Sequence, residues 1–225
     1  MKKHPFSMIE IILALGVVAI GICSIMVLFT IGANANRDAQ AETFNAQMAD
    51  HILHYAKCAI TFKKDYWSKF VWDLSSNSAP SAEDALPELS AADVASIPDS
   101  VLEKVSNPDA WTNNSSESIL SALGAAGLGN KHPIFAYGNT ATNTFLIVNH
   151  HNDDQQINYN ELMDHPEQID FRAIAILWKS KINVGGTELP YSYGVTLNVK
   201  IFWPAEVPSS AQQSALYTMD VFNNN

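Results

Sequence analysis

Residues 11–36, IILALGVVAIGICSIMVLFTIGANAN, contain no charged side chain. An uncharged, largely apolar run longer than about 18 residues has the length and composition to cross a bilayer as one helix. Such a stretch needs lipid or other helices around it, so the chain is expected to consist of an anchor and a separate head. Glu10 stands at the start of the run, where burial in hydrocarbon costs about 3 kcal/mol unless the carboxylate finds a partner. A secretory signal peptide has a shorter apolar region closed by a small-residue cleavage site, whereas here the run passes directly into a helical pattern. The segment is therefore expected to be retained. Lys2 and Lys3 precede it, so the positive-inside rule puts the N-terminus in the cytoplasm and the bulk of the chain outside.

The helix does not end with the apolar run. No proline occurs between Phe6 and Ala79, and Phe44, Met48, Ile52, Tyr55, Cys58, Phe62, Tyr66 and Phe70 recur three and four positions apart, as one face of an amphipathic helix. The pattern predicts an end near Leu74, where SSNSAP breaks it. A one-sided helix needs a surface to pack on. Residues 75–130 are rich in Ser, Ala, Asn, Pro and Asp and predict an excursion with short helices over 99–105 and 115–126; Asn114 with Glu117 has the spacing of a capping box. From Pro133 the pattern turns to strands: 134–137 and 144–149 around a hairpin loop at 138–143, then 170–181, a Gly185-Gly186 turn, 193–203 and 215–222. Within 193–203, Val195, Leu197, Val199, Ile201 and Trp203 alternate with other residues, which predicts a half-buried strand.

Charge narrows the partners. The chain carries a net charge of −10, and beyond the anchor acidic residues outnumber basic ones two to one. Such a balance repels phosphate backbones, so no general nucleic-acid binding is expected. Cys23 and Cys58 are the two cysteines. On one continuous helix they lie about 50 Å apart, too far for an intrachain disulfide. Cys23 reads as a small apolar residue of the anchor and Cys58 as a half-buried one.

Chemistry-bearing clusters are few. His51, His54 and Cys58 lie on neighbouring turns, but one straight helix rarely offers three ligands tetrahedrally and no CxxC or HExxH accompanies them. His150-His151-Asn152-Asp153-Asp154 could offer oxygens to calcium, yet lacks the spaced DxDxDG pattern and reads as a solvated loop. There is neither a GxSxG nucleophile nor a GxxxxGK[ST] phosphate loop. The expectation is no enzyme, no catalytic residue, no metal and no cofactor.

Lys2-Lys3, then Phe6-Ser7-Met8-Ile9-Glu10, then ILALGVVAIG resembles the N-terminus of type IV pilins and type II secretion pseudopilins. The resemblance implies a leader of residues 1–5 cut by prepilin peptidase between Pro5 and Phe6, and N-methylation of the Phe6 amine. It also implies a role in subunit assembly for Glu10. The family nearly always has Gly where this chain has Pro5, and Pro fixes φ and restricts the residue before it. A freed Phe6 amine would be a cation about one turn from Glu10, and a neighbour's amine could neutralise the carboxylate as helices stack in register. The plainer alternative is a Glu at headgroup depth beside the two lysines.

A second resemblance lies in the tail. A strand ending in VKIFWPAEVP, a polar run and a last strand YTMDVF are similar to the C-terminal segment of minor pilins and pseudopilins of the PilV and GspI type. A packed aromatic followed by a strand stop accounts for Trp203-Pro204 equally well. Together the resemblances imply an α+β, pilin-like fold, with a long N-terminal helix on a small antiparallel sheet. The implied divisions are leader 1–5, transmembrane and filament-core helix 6–36, amphipathic helix 37–74, variable insertion 75–131 and sheet 132–225. The implied role is a minor pilin or pseudopilin of a type IV filament or secretion pseudopilus. The alternatives are the major subunit and a single-pass membrane-anchored extracytoplasmic binding domain. Implied partners are other pilin or pseudopilin subunits in a helical filament, prepilin peptidase, an assembly platform with its ATPase, and the inner membrane. A cell-surface location after assembly follows from the same reading.

Overall fold

A computed structural model describes residues 7–62, 67, 71, 86–107, 111–112, 134–137, 143–150 and 164–223. Pro5, Phe6, the expected helix end near Leu74, the helix over 115–126, the loop at 138–142 and residues 151–154 lie outside that set. The chain divides into two compact units, Met1–Phe44 and Asn45–Asn225. The fold is α+β: a long N-terminal helix, α1 (Met8–Phe62), and a small antiparallel sheet.

In the second unit, six strands form one sheet: β1 (Trp111–Thr112), β2 (Ile134–Tyr137), β3 (Thr144–His150), β4 (Ile169–Ser180), β7 (Gly194–Trp203) and β8 (Gln213–Phe222). Each pairs antiparallel with the next in that order. The short strands β5 (Asn183–Val184) and β6 (Thr187–Glu188) form a separate ribbon between β4 and β7. Its two-residue turn is Gly185-Gly186, both at positive φ, the conformation that the twist of a tight hairpin demands and that glycine adopts without a Cβ clash.

Strand alternation gives the sheet two apolar faces. Phe145, Ile147, Ala173, Ala175, Leu177, Leu197, Val199 and Ile201 share one face and are fully buried. The buried stripe of α1 covers it with Asn45, Met48, Ala49, Ile52, Leu53, Ala56 and Ile60, of which all but Asn45 are apolar. Burying one such Leu or Ile side chain contributes about 1.5–3 kcal/mol. The stripe departs from the expected one: Tyr55 is half-buried and Cys58 is exposed rather than half-buried. The buried line runs instead through Ala49, Ile52, Leu53, Ala56 and Ile60. Beyond α1, Trp67 Nε1 donates to Tyr191 O at 3.0 Å. Lys179, buried at the end of β4, donates through Nζ to Val71 O at 3.2 Å, 4.9 Å from the centroid of the Tyr191 ring.

The opposite face is also covered, so β7 is not half-buried: both of its sides are shielded from water. Leu146, Val148, Ile174, Ile176, Trp178 and Phe202 meet Val94, Ile97 and Val101 of a second helix, α2 (Ala91–Leu102). This helix begins earlier than the expected 99–105 and runs through Pro98. Its start is fixed by a capping box in which Asp93 N–H donates to Ser90 Oγ at 3.2 Å and Ser90 N–H to Asp93 Oδ2 at 3.0 Å, satisfying donors that the first turn leaves unpaired. Asp99 then ties α2 to the chain after β7, accepting from Ser209 N–H at 2.8 Å and Ser209 Oγ at 2.6 Å. Arg172 pairs with Glu206 beside it. The result is a sheet between two helices.

Candidate functional site at the head of the apolar helix

Helix α1 opens with Ser7-Met8-Ile9-Glu10, and the Ser-x-x-Glu spacing closes a capping box. Ser7 N–H donates to Glu10 Oε2 at 2.8 Å, and Glu10 N–H donates to Ser7 Oγ at 3.3 Å. Four N–H groups at any helix start lack intrahelical partners, and the helix dipole favours a negative charge there. Glu10 therefore has a local partner in its own chain. Ser7 is a site residue that the sequence reading passed over, although its spacing to Glu10 was the available signal.

Past Glu10 the helix is uncovered. Ile11, Leu15, Val18, Ile22, Met26 and Phe29 are each at least half exposed, and no residue of the most apolar stretch is buried. This is the one helix among the described residues that is long and apolar enough to cross a membrane. Its few polar side chains turn inward on the backbone. Ser24 Oγ donates to Ile20 O and Thr30 Oγ1 to Val27 O, both at 2.8 Å, so neither hydroxyl would meet hydrocarbon unpaired. Cys23 is exposed on this surface and forms no disulfide.

The remaining candidates are placed as follows. His54 Nε2 lies 3.3 Å from Asp50 Oδ1 on the exposed side of α1, and His51 and Cys58 are exposed. Among the described residues, no three His, Cys, Asp or Glu side chains gather as a metal site would require. His150 is buried at the end of β3, beside a shift in register between Asn149 and His150. The cleavage position Pro5 and the methylation position Phe6 lie outside the described residues; among the described residues, Glu10 is brought together with Ser7. No family model matches the chain, and neither a curated protein nor a solved structure does.

Proposed function

We propose that the chain is a structural subunit of a type IV filament or type II secretion pseudopilus, a minor pilin or pseudopilin, stored in the inner membrane and assembled through α1. The observation that carries this reading is the uncovered apolar helix with a single carboxylate at its head. Lipid covers such a surface during storage, and the apolar helices of other subunits replace lipid in a filament. A carboxylate accepts through two oxygens, so capping by Oε2 is compatible with a second bond to the Phe6 amine of a neighbouring subunit. That charge-assisted contact favours one stagger between helices. Prepilin peptidase would free the amine, and an assembly platform with its ATPase would supply the work. The major subunit is the nearest alternative, and copy number in the filament separates the two.

A second reading, a single-pass anchor holding an extracytoplasmic binding domain, is favoured by the capping box itself, because Ser7 already satisfies Glu10. Two measurements decide. In cells with a prepilin peptidase, the filament reading expects an intact mass starting at Phe6 with one extra methyl group; a chain retaining Lys2 supports the fixed anchor. Glu10→Gln keeps the capping hydrogen bond and removes the charge. Under the filament reading this variant inserts in the membrane but fails to enter filaments, as Glu10→Ala does. Under the fixed-anchor reading Glu10→Gln behaves as the native chain.

A further inference from the structure

Strand β8 is the last strand of the sheet, and among the described residues no strand pairs with its outer edge. Tyr193 and Asn223 face each other in the continuation of the β7–β8 register, and Asn223 N–H donates to Tyr193 O at 2.9 Å. Residues directly opposite alternate between pairs that exchange hydrogen bonds and pairs that do not. The odd-numbered residues of β8 therefore spend their backbone groups on β7, and Ser214, Leu216, Thr218, Asp220 and Phe222 point theirs outward. The side chains of these five residues are exposed as well.

Edges of this length are normally guarded by lysine, proline, a bulge or brevity. The opposite edge of the sheet is brief, with two residues in β1. β8 pairs with β7 over ten consecutive residues without a register shift and contains neither Lys, Arg nor Pro. Its one charge, Asp220, accepts a 2.6 Å hydrogen bond from Thr196 Oγ1.

We infer that β8 pairs antiparallel with β8 of a second copy of this chain about a twofold axis through Thr218. The segment SALYTMDVF pairs with itself about that residue. Thr218 faces Thr218, Leu216 faces Asp220 and Ser214 faces Phe222, so every outward N–H meets an outward C=O. Between them Tyr217 faces Met219 and Ala215 faces Val221, an aromatic–sulfur pair and an apolar pair. The two Asp220 carboxylates stay about 13 Å apart along the strands. A register centred on Asp220 would instead oppose them. The twofold runs normal to the sheet, so helix residues 45–62 of the two copies run in opposite directions. Copies whose helices run side by side in one direction cannot make this contact, which therefore joins heads presented from opposite directions. It goes beyond the proposed function and does not depend on it.

The test uses the full chain in detergent micelles. Sedimentation equilibrium is expected to show a monomer–dimer equilibrium that Leu216→Glu, which sets a carboxylate opposite Asp220 twice, weakens about 10-fold. Leu216→Lys is expected to retain or strengthen the dimer, although a lysine would block a generic sticky edge. With Cys23→Ser and Cys58→Ala removing the native thiols, Thr218→Cys should oxidise to a covalent dimer, because paired strands set these Cα atoms about 5.5 Å apart. Ser214→Cys should not. A monomeric native chain overturns the inference, and so does a dimer indifferent to Leu216→Glu, as pairing through the apolar helix would be. Loss of the dimer in both Leu216 variants, or cross-linking at 214 and not at 218, overturns the register. Thermal unfolding of each variant confirms an intact head.

Discussion

The two halves of α1 share one backbone and differ in almost everything else. Residues 8–40 are exposed on every side, although most are apolar, while residues 44–60 carry a stripe of buried positions that includes Asn45 and two alanines. Hydropathy and burial are thus separated along a single helix. In the first half apolar residues run all round the cylinder and no protein surface meets them, which suits a solvent of lipid or of like helices. In the second half only one side of the helix is buried, and alanines occupy two of the positions on it.

The sharpest way to break this contrast is to make the same substitution in both halves. Ile52 is fully buried and Ile22 is half exposed. Ile52→Ala is expected to destabilise the head by about 2–5 kcal/mol, and Ile22→Ala to leave it within about 0.5 kcal/mol. Denaturant unfolding followed by tryptophan fluorescence reads the head alone, because all five tryptophans lie beyond the anchor. Equal effects would mean that the first half also contributes to the head's stability.

Adding volume sharpens the comparison further. Ala56 is fully buried under the sheet and Ala19 is exposed. Ala56→Leu is expected to cost about 1–3 kcal/mol by overpacking a fully buried position, whereas Ala19→Leu leaves head unfolding unchanged. A tolerated Ala56→Leu would show that the buried side of α1 has room for added volume.

These alanines mark what the sequence did and did not disclose. Strands 134–137, 144–149 and 215–222 were legible because turn residues bound them, and the long helix because nothing in its first half interrupts it. The line of contact on α1 was less legible, since alanine carries little hydrophobic signal and the larger Tyr55 and Cys58 drew the stripe to the wrong side. The second layer was hidden by polarity. On the α2 side β7 carries Thr196, Asn198 and Lys200, which read as solvent-facing, yet Asn198 is buried and its Nδ2 donates to Ser180 Oγ at 2.9 Å. At the candidate site, Glu10 stood out as a charge beside hydrocarbon. Its partner Ser7 did not, because an uncharged hydroxyl ahead of an apolar run is marked only by its Ser-x-x-Glu spacing.

Acid should separate the two helices of the head, since α2 is held partly by carboxylates and the buried stripe of α1 contains none. Hydrogen bonds from Ser209 hold the Asp99 carboxyl below its usual range, and those from Ser90 do the same for Asp93. A carboxyl whose folded pKa is depressed binds its proton more readily in the unfolded chain. Its stabilisation is therefore present above the unfolded value of about 3.9 and is lost as pH falls through the folded one. Below about pH 4 the capping box and the Asp99–Ser209 link weaken together, and α2 is expected to loosen from its face of the sheet first. Trp178 lies in the cluster under α2, so an acid-induced change in its fluorescence should precede loss of the sheet's circular dichroism. Asp99→Asn keeps the shape and removes the titration, so it should flatten the pH dependence below about pH 4 while slightly weakening the head at neutral pH. If the native and Asp99→Asn curves run parallel through this range, Asp99 does not govern the acid response, and the capping box of Asp93 is left as its source.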